Sequence, residues 1–253
     1  MTVPRCSRKC TLTTRLLTPC CQGARRKNIG RTALRGAVPD YRDPPTMYVL
    51  YTFPFSQHAR RVITLLEAEG LPWTARHVAM DKGEHLSDAY LAINPNHQVP
   101  TLVEGDLKIH ESTAILRFLC NRHALENWYP SAPTVRAEVD QWTDWCQSRM
   151  AQAVIDIVFN SVFAPPDLRD EDAIARGKSR MAELAPMIEK RLADRAWIAG
   201  TATPTIADLA IASNIAQLGL AGWRPATGRL KDWYARMCAI EAFTNALPEM
   251  EGA

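Results

Sequence analysis

The chain has 253 residues, of which 47% are hydrophobic and 23% are charged. No uninterrupted apolar run reaches the roughly eighteen residues that a membrane-spanning helix needs, so the composition predicts a soluble, globular protein that does not insert into a membrane. With roughly 100 to 200 residues per domain, two domains are expected, and the composition excludes collagen, a coiled coil and a small disulfide scaffold.

The formal net charge of +3 is distributed unevenly along the sequence. Residues 1–46 contain ten Lys and Arg but only two acidic residues, whereas residues 47–253 contain 20 basic and 25 acidic residues. The larger part of the chain is therefore net acidic, which argues against a nucleic-acid partner.

Residues 1–46 are predicted to form a disordered basic extension, because they show neither helical nor strand periodicity and contain a single aromatic residue, Tyr41. Their Arg-rich, acid-poor composition is compatible with an organellar transit segment. A start codon assigned too early is the alternative that we prefer, since Met47 directly opens the first predicted strand.

Four of the seven cysteines lie in this extension, and three are dispersed over the rest of the chain. No Cys-x-x-Cys pair occurs, so neither a dithiol redox site nor a zinc site is expected. Dispersed thiols favour a reducing compartment over a disulfide framework. We therefore expect a cytoplasmic protein without a bound metal.

From Met47 to Asn121 the pattern alternates between strand and helix. The run Met-Tyr-Val-Leu-Tyr-Thr (47–52) is apolar and β-rich, which predicts a buried strand. Apolar residues then recur with a 3.6-residue period up to Leu66, which predicts a helix that ends near Gly70. The later predicted elements are a strand over 73–78, a short helix at about 87–93, a hairpin of 101–103 and 107–110, and a helix over 112–121.

Beyond a linker at 121–133, only helices are predicted. They cover about 134–163, 170–192, 205–217 and 229–239. The third of them starts with Thr205-Ile206-Ala207-Asp208, a pattern close to a capping box and therefore structural.

Four motifs in the first half carry a resemblance to a known family. They are Pro-Phe-Ser-Gln-His-Ala-Arg (54–60), Gly-Glu-His (83–85), Asn-Pro-Asn-His-Gln-Val-Pro-Thr-Leu (94–102) and His-Glu-Ser-Thr-Ala-Ile (110–115). In order and spacing they resemble a cytosolic glutathione S-transferase, with motifs closest to those of the theta and delta classes. The resemblance implies an α/β thioredoxin-like, glutathione-binding domain over 47–127 and an all-α, substrate-binding domain over 134–253, the glutathione transferase fold.

Ser56 is the predicted catalytic residue. A free thiol has a pKa near ~8.5 and is a weak nucleophile until it ionises, so glutathione must be held as its thiolate. A hydroxyl at the entrance of the first helix can donate a hydrogen bond to the sulfur, and the helix dipole favours the negative charge there. The alternative is a capping serine without chemistry.

The resemblance also implies six glutathione-binding residues: His85, His97, Gln98, Val99, Glu111 and Ser112. Val99 precedes a proline that the family holds in a cis peptide, and its backbone would pair with the cysteinyl unit of glutathione; an ordinary trans turn is the alternative. The two histidines would lie near the glycine carboxylate. At the start of the third helix, Glu111 would meet the γ-glutamyl ammonium group, and Ser112 would contact the carboxylate and cap the helix.

Two further features leave alternatives open. Arg60 matches a family position four residues after the serine, but it could equally be a structural salt-bridge partner. The electrophile pocket is expected in the helical half, and the aromatic and Met residues there are just as typical of a core, so no substrate residue is assigned. They are Trp142, Trp145, Met150, Ile155 and Phe159 on the long helix, and Trp233 and Met237 near the C-terminus.

The preferred function is therefore that of a glutathione S-transferase. Its expected partners are glutathione as cosubstrate and a small apolar electrophile, with no metal, no nucleic acid and no membrane, and the resemblance implies a homodimer. One alternative is a non-catalytic glutathione-binding, ligand-binding or assembly module with the same two-domain shell. Another is a glutathione-dependent dehalogenase or isomerase.

Overall fold

The computed structural model describes residues 47–248. The predictions for 1–46 lie outside these residues, as does the end of the second predicted domain. In the first half the elements are β1 (Tyr48–Thr52), α1 (Gln57–Ala68), β2 (Trp73–His77), α2 (Asp88–Leu91), β3 (Thr101–Glu104), β4 (Leu107–His110) and α3 (Ser112–Arg122). In the second half they are α4 (Pro133–Trp145), α5 (Ala151–Val158), α6 (Glu171–Arg191), α7 (Ile206–Leu218), α8 (Gly228–Cys238) and α9 (Glu241–Asn245).

The four strands form one mixed sheet in the order β2-β1-β3-β4. β1 runs parallel to β2, with Tyr48 opposite Trp73, and antiparallel to β3, which pairs with β4 as a hairpin. The parallel pair requires a crossover, and α1 supplies it. This arrangement confirms the thioredoxin-like fold that was expected for the first half.

α1 forms because its apolar residues fall on one face and its first turn is capped. Val62, Leu65 and Leu66 are fully buried on that face. The chain leaves the helix through Gly70, whose φ of +57° lies in the left-handed region that glycine tolerates best. The predicted helix and its end near Gly70 are confirmed.

The helix predicted over 134–163 is not uniform. α4 continues into a π-helical segment at Cys146–Met150, then into α5, and ends in a second π-helical segment at Phe159–Phe163. Each π turn holds one more residue than an α turn, so the helix rotates its faces at these points. An apolar period does not reveal such an insertion, which is why the sequence predicted one continuous helix.

α7 lies at the centre of the helical half, and all thirteen of its residues are buried. The predicted capping pattern is confirmed: the Asp208 carboxylate accepts hydrogen bonds from the backbone N–H and the hydroxyl of Thr205 at 2.8 and 2.9 Å. It also accepts from Trp233 Nε1 at 2.8 Å, and burial raises the pKa of this carboxyl group. One hydrophobic cluster runs from Leu50 in the sheet through α7 to Trp233.

Candidate active site

A cleft of about 540 Å³ opens between the loops at one end of the sheet and the long helix formed by α5 and the π-helical segment that follows it. We call the residues Ser56, His85, Gln98 and Val99 its polar wall, and Ile155, Phe159 and Phe163 its apolar wall. The cleft therefore brings together four of the seven residues predicted for the site, and sets them opposite apolar side chains.

Ser56 is the N-cap of α1. Its Oγ accepts a hydrogen bond from the backbone N–H of Ala59 at 3.1 Å, so the capping role is real. Among residues 47–248 no acceptor is found for its hydroxyl hydrogen, which leaves that hydrogen available to a ligand in the cleft. A negative charge at this point would also face the positive end of the helix dipole.

The turn at Val99 offers backbone groups to the cleft. The Val99–Pro100 peptide is cis, as expected. Within the described residues, neither the N–H nor the C=O of Val99 has a hydrogen-bond partner. The preceding carbonyl, that of Gln98, accepts from the Tyr90 hydroxyl at 2.6 Å and from Asn94 Nδ2 at 2.8 Å, which holds the turn in place.

The other predicted residues fall outside the lining of this cleft. His97 has a φ of 57°, and Glu111 has a φ of 67°. Ser112 is the first residue of α3 and not its cap: Glu111 occupies the N-cap position and makes no capping bond with its side chain. The predicted capping role of Ser112 is therefore wrong, because the left-handed backbone at Glu111 moves the cap one residue back.

Three polar atoms of these residues are buried without a hydrogen-bond partner among the described residues: His85 Nδ1, His97 Nδ1 and Ser112 Oγ. Buried polar atoms are normally paired, so atoms of this kind indicate contacts with water or a ligand. The three residues come from three separate segments of the α/β half, as a site for an extended peptide would require.

The comparisons with known proteins agree with this geometry. Residues 50–127 match the model of the glutathione S-transferase N-terminal domain, and residues 171–236 match that of the C-terminal domain. Glutathione S-transferase GstB of Escherichia coli is 30% identical over 187 residues, which cover 72% of this chain and 88% of that protein. The chain belongs to the glutathione S-transferase family.

Theta-class glutathione S-transferases are among its similar relatives. The theta-2 protein of Rattus norvegicus is 30% identical over 203 residues, covering 78% of this chain and 82% of the other. The theta-class glutathione S-transferase of Xanthomonas axonopodis pv. citri, solved with glutathione bound, aligns with a TM-score of 0.75 at 30% identity. That alignment covers 81% of this chain and 99% of the other, which confirms the glutathione S-transferase fold.

In this glutathione S-transferase, two of the seven helical residues considered for the electrophile pocket, Ile155 and Phe159, line the cleft. The other five do not, and two of them, Trp233 and Met237, are fully buried in the core. The remaining three are Trp142, Trp145 and Met150. Phe163 also lines the cleft and was not predicted from the sequence; its ring centroid lies 5.4 Å from that of Phe55. The four-residue spacing from Ile155 through Phe159 to Phe163 could have indicated it, because residues four apart lie on the same face of a helix. All three side chains are exposed at 40% or more.

Four polar residues in the lining were not predicted from the sequence: Gln57, His58, Asp81 and Gln217. His58 follows Ser56 by two residues, and burial, helped by the charge of Arg61, lowers its pKa to about 3. The imidazole is therefore neutral at physiological pH. Gln217, on α7, reaches the cleft from the helical half.

Arg60 does not form the salt bridge that was considered for it. Its guanidinium group donates to the backbone carbonyl of Ser213 at 3.1 Å and to Gln217 Oε1 at 3.3 Å. No carboxylate among residues 47–248 pairs with it, and burial lowers its pKa to about 10. Its role is to connect α1 with α7.

Two features are absent from residues 47–248, a membrane-spanning helix and a cluster of metal ligands. No helix in this part of the chain is both long and apolar enough to cross a membrane. No group of three or more His, Cys, Asp or Glu side chains there is placed to hold a metal ion.

Proposed function

We propose that this glutathione S-transferase uses Ser56 to hold its cosubstrate, glutathione, as the thiolate. The observation that carries the proposal is that Ser56 caps α1 in the lining of the cleft. Its hydroxyl group donates no hydrogen bond to any of the described residues. The sulfur then attacks a small apolar electrophile, forming a carbon–sulfur bond while the leaving group departs with its bonding electrons, or while a strained ring opens.

The free energy required is within reach of this arrangement. Lowering the pKa of the thiol by about two units corresponds to about 2.7 kcal/mol. A hydrogen bond to a charged acceptor contributes about 1.5 to 3 kcal/mol, and a helix N-terminus adds about 0.3 to 1 kcal/mol. The hydroxyl of Ser56 and the start of α1 together supply that amount.

The remaining predicted residues fit the two ends of glutathione. The free N–H and C=O of Val99, beside Gln98, are suited to pairing with the cysteinyl unit as a strand would. His85 and His97 are assigned to the glycine carboxylate. The N-terminus of α3, with Glu111 and the unpaired Oγ of Ser112, is assigned to the ammonium and carboxylate groups of the γ-glutamyl unit.

The apolar wall is assigned to the electrophile, since it presents exposed aromatic rings in the same cleft as Ser56. We retain the division into a glutathione-binding domain over 47–127 and a substrate-binding domain over 134–253. A homodimer in the cytoplasm is proposed from the family.

The test is the ultraviolet absorbance of glutathione thiolate on the protein as the pH is raised. Bound glutathione should ionise about two pH units below the free thiol, and Ser56→Ala should abolish that difference. If bound glutathione ionised like the free thiol in the unaltered protein, and no halide, epoxide or nitroaromatic compound reacted, the protein would be a non-catalytic binding module instead.

A further inference from the structure

A side chain of the helical half reaches the loop that carries Ser56. Gln217 Nε2 donates a hydrogen bond to the backbone carbonyl of Phe55 at 3.0 Å. This carbonyl belongs to the peptide that joins Phe55 to Ser56. Gln217 is only 6% exposed and lies 161 residues further along the chain than Ser56, so the contact depends on the packing of α7 against α1.

Arg60 fixes the orientation of the Gln217 amide. Its Nη2 donates to Gln217 Oε1 at 3.3 Å, while its Nη1 donates to the carbonyl of Ser213 one turn earlier on α7. An arginine has only donors, so the amide oxygen must face it, and the amide NH2 group must then face Phe55. Arg60 is 1% exposed, which keeps water from competing for these bonds.

The peptide between Phe55 and Ser56 is consequently held at both of its polar groups. Its N–H, on Ser56, donates to the Phe53 carbonyl at 2.9 Å, and its C=O accepts from Gln217. Because a peptide unit is planar, two bonds on opposite sides of it fix its orientation. The position of the Ser56 side chain follows from that plane and from the capping bond to Ala59.

We propose that Gln217 is a positioning residue for the catalytic serine: it holds the Phe55–Ser56 peptide so that the Ser56 hydroxyl points at the sulfur of bound glutathione. This inference rests on the function proposed above for Ser56. It assigns α7, which belongs to the helical half, a part in ionising a thiol that is bound by the α/β half.

The test compares Gln217→Met with the unaltered protein. Met has a similar volume but cannot donate to Phe55, so the Ser56 hydroxyl loses part of its alignment. We expect the pKa of bound glutathione to rise by about half to one unit and kcat/KM to fall about 1.5- to threefold at neutral pH and about three- to tenfold one pH unit below the pKa of bound glutathione. Affinity for S-methylglutathione, which has no thiol, should stay within about twofold.

Two further variants guard against a purely structural explanation. Ser213→Ala alters a buried residue one turn earlier on the same helix but leaves the backbone carbonyl that Arg60 uses. The pKa of glutathione bound to this variant should therefore equal that on the unaltered protein. Gln217→Asn keeps an amide beside Arg60 and is one methylene too short to reach Phe55. It should raise the pKa as Gln217→Met does, and it provides the measurement if the Met variant does not fold.

The outcomes separate this inference from the proposed function. If the unaltered protein ionises bound glutathione early, Ser56→Ala abolishes the effect, and both Gln217 variants behave like the unaltered protein, then only the positioning role is overturned. The positioning role is also overturned if Ser213→Ala shifts the pKa as far as Gln217→Met does. If Ser56→Ala changes nothing, the proposed function itself fails.

Discussion

The polar wall of the cleft consists of loop residues whose backbone is fixed, whereas the apolar wall consists of exposed side chains along one helical face. The first presents a capped helix N-terminus and unpaired backbone groups, at positions set by hydrogen bonds and by a cis peptide. The second presents Ile155, Phe159 and Phe163 at intervals of four residues. A fixed polar surface suits one constant cosubstrate, and a surface of side chains can change with the electrophile while the backbone stays the same.

The largest expected effect comes from the polar wall. Removing a single donor from a site that stabilises a developing anion costs about a hundredfold or more in rate, so Ser56→Ala should lower kcat/KM by about that factor at neutral pH. The difference in kcat/KM between the two proteins should become smaller as the pH approaches the pKa of the free thiol, because glutathione then ionises without help. Steady-state rates across pH are the measurement.

Ser87→Ala is the matched control, because Ser87 caps α2 through a similar bond to the backbone N–H of Tyr90 and lies outside the cleft lining. It should cost about 1 kcal/mol of stability and leave the rate unchanged. Equal rates in the two variants would remove Ser56 from the chemistry.

The position of the apolar wall should be disturbed by Gly177→Ala. A Cβ atom at Gly177 would lie 2.7 Å from the carbonyl oxygen of Ala153 and 2.8 Å from Cγ1 of Ile157, so α5 and α6 would have to move apart. We expect a loss of about 1 to 3 kcal/mol in the free energy of unfolding and a higher KM for the electrophile. The affinity for glutathione should change little.

Denaturant unfolding and the two KM values measure this effect. Ser179→Ala, on the exposed side of α6, is the control and should change neither quantity. An increase in the KM for glutathione equal to that for the electrophile would show that the two walls are not independent.

Protonation should destabilise the polar side of the cleft but not the apolar wall. His58 has a folded-state pKa of about 3 against an ordinary value of 6.5, so the unfolded chain binds the proton more tightly. The stability contributed by neutral His58 is complete above pH 6.5 and is lost as the pH falls from 6.5 towards 3. By pH 5 the loss should be about 1 kcal/mol, allowing for partial exposure of the ring.

The check is the free energy of unfolding at a series of pH values in the unaltered protein and in His58→Phe, which should show a shallower decline between pH 6.5 and 4. Parallel curves for the two proteins would contradict the assignment of this pH dependence to His58.

The smallest expected effect is that of Phe163→Ala. The ring is 40% exposed in the cleft lining, so an aromatic electrophile can pair with it, an interaction of about 0.5 to 1.5 kcal/mol. The KM for an aromatic electrophile should therefore rise about three- to tenfold, with the pKa of bound glutathione unchanged. Leu168→Ala, an exposed apolar residue outside the cleft lining, should have no effect on either value.

The features that could be predicted from the sequence are those determined by neighbouring residues. Ser56 caps α1 because of the five residues around it, and the Thr205–Asp208 capping pattern is equally local. Both were read from short motifs, as were the strands of the sheet.

The features that were missed depend on residues far apart in the chain or on an interruption of the helical periodicity. The partners of Arg60 lie on α7, more than 150 residues away, and no local pattern distinguishes a carbonyl partner from a carboxylate. The two π-helical segments each shift the faces of the long helix, and an apolar period in the sequence does not reveal them. Ser112 was misplaced by a single residue, because the positive φ of Glu111 is not visible in the sequence.

The hydrophobic cluster that runs from Leu50 through α7 to Trp233 ties the two halves into one cooperative system. A recombinant fragment ending near residue 127 would expose the face of α1 that packs on α7. Its free energy of unfolding should therefore be lower than that of the intact chain. A chimaera that takes its two halves from different proteins should therefore be more stable when α1 and α7 come from the same parent.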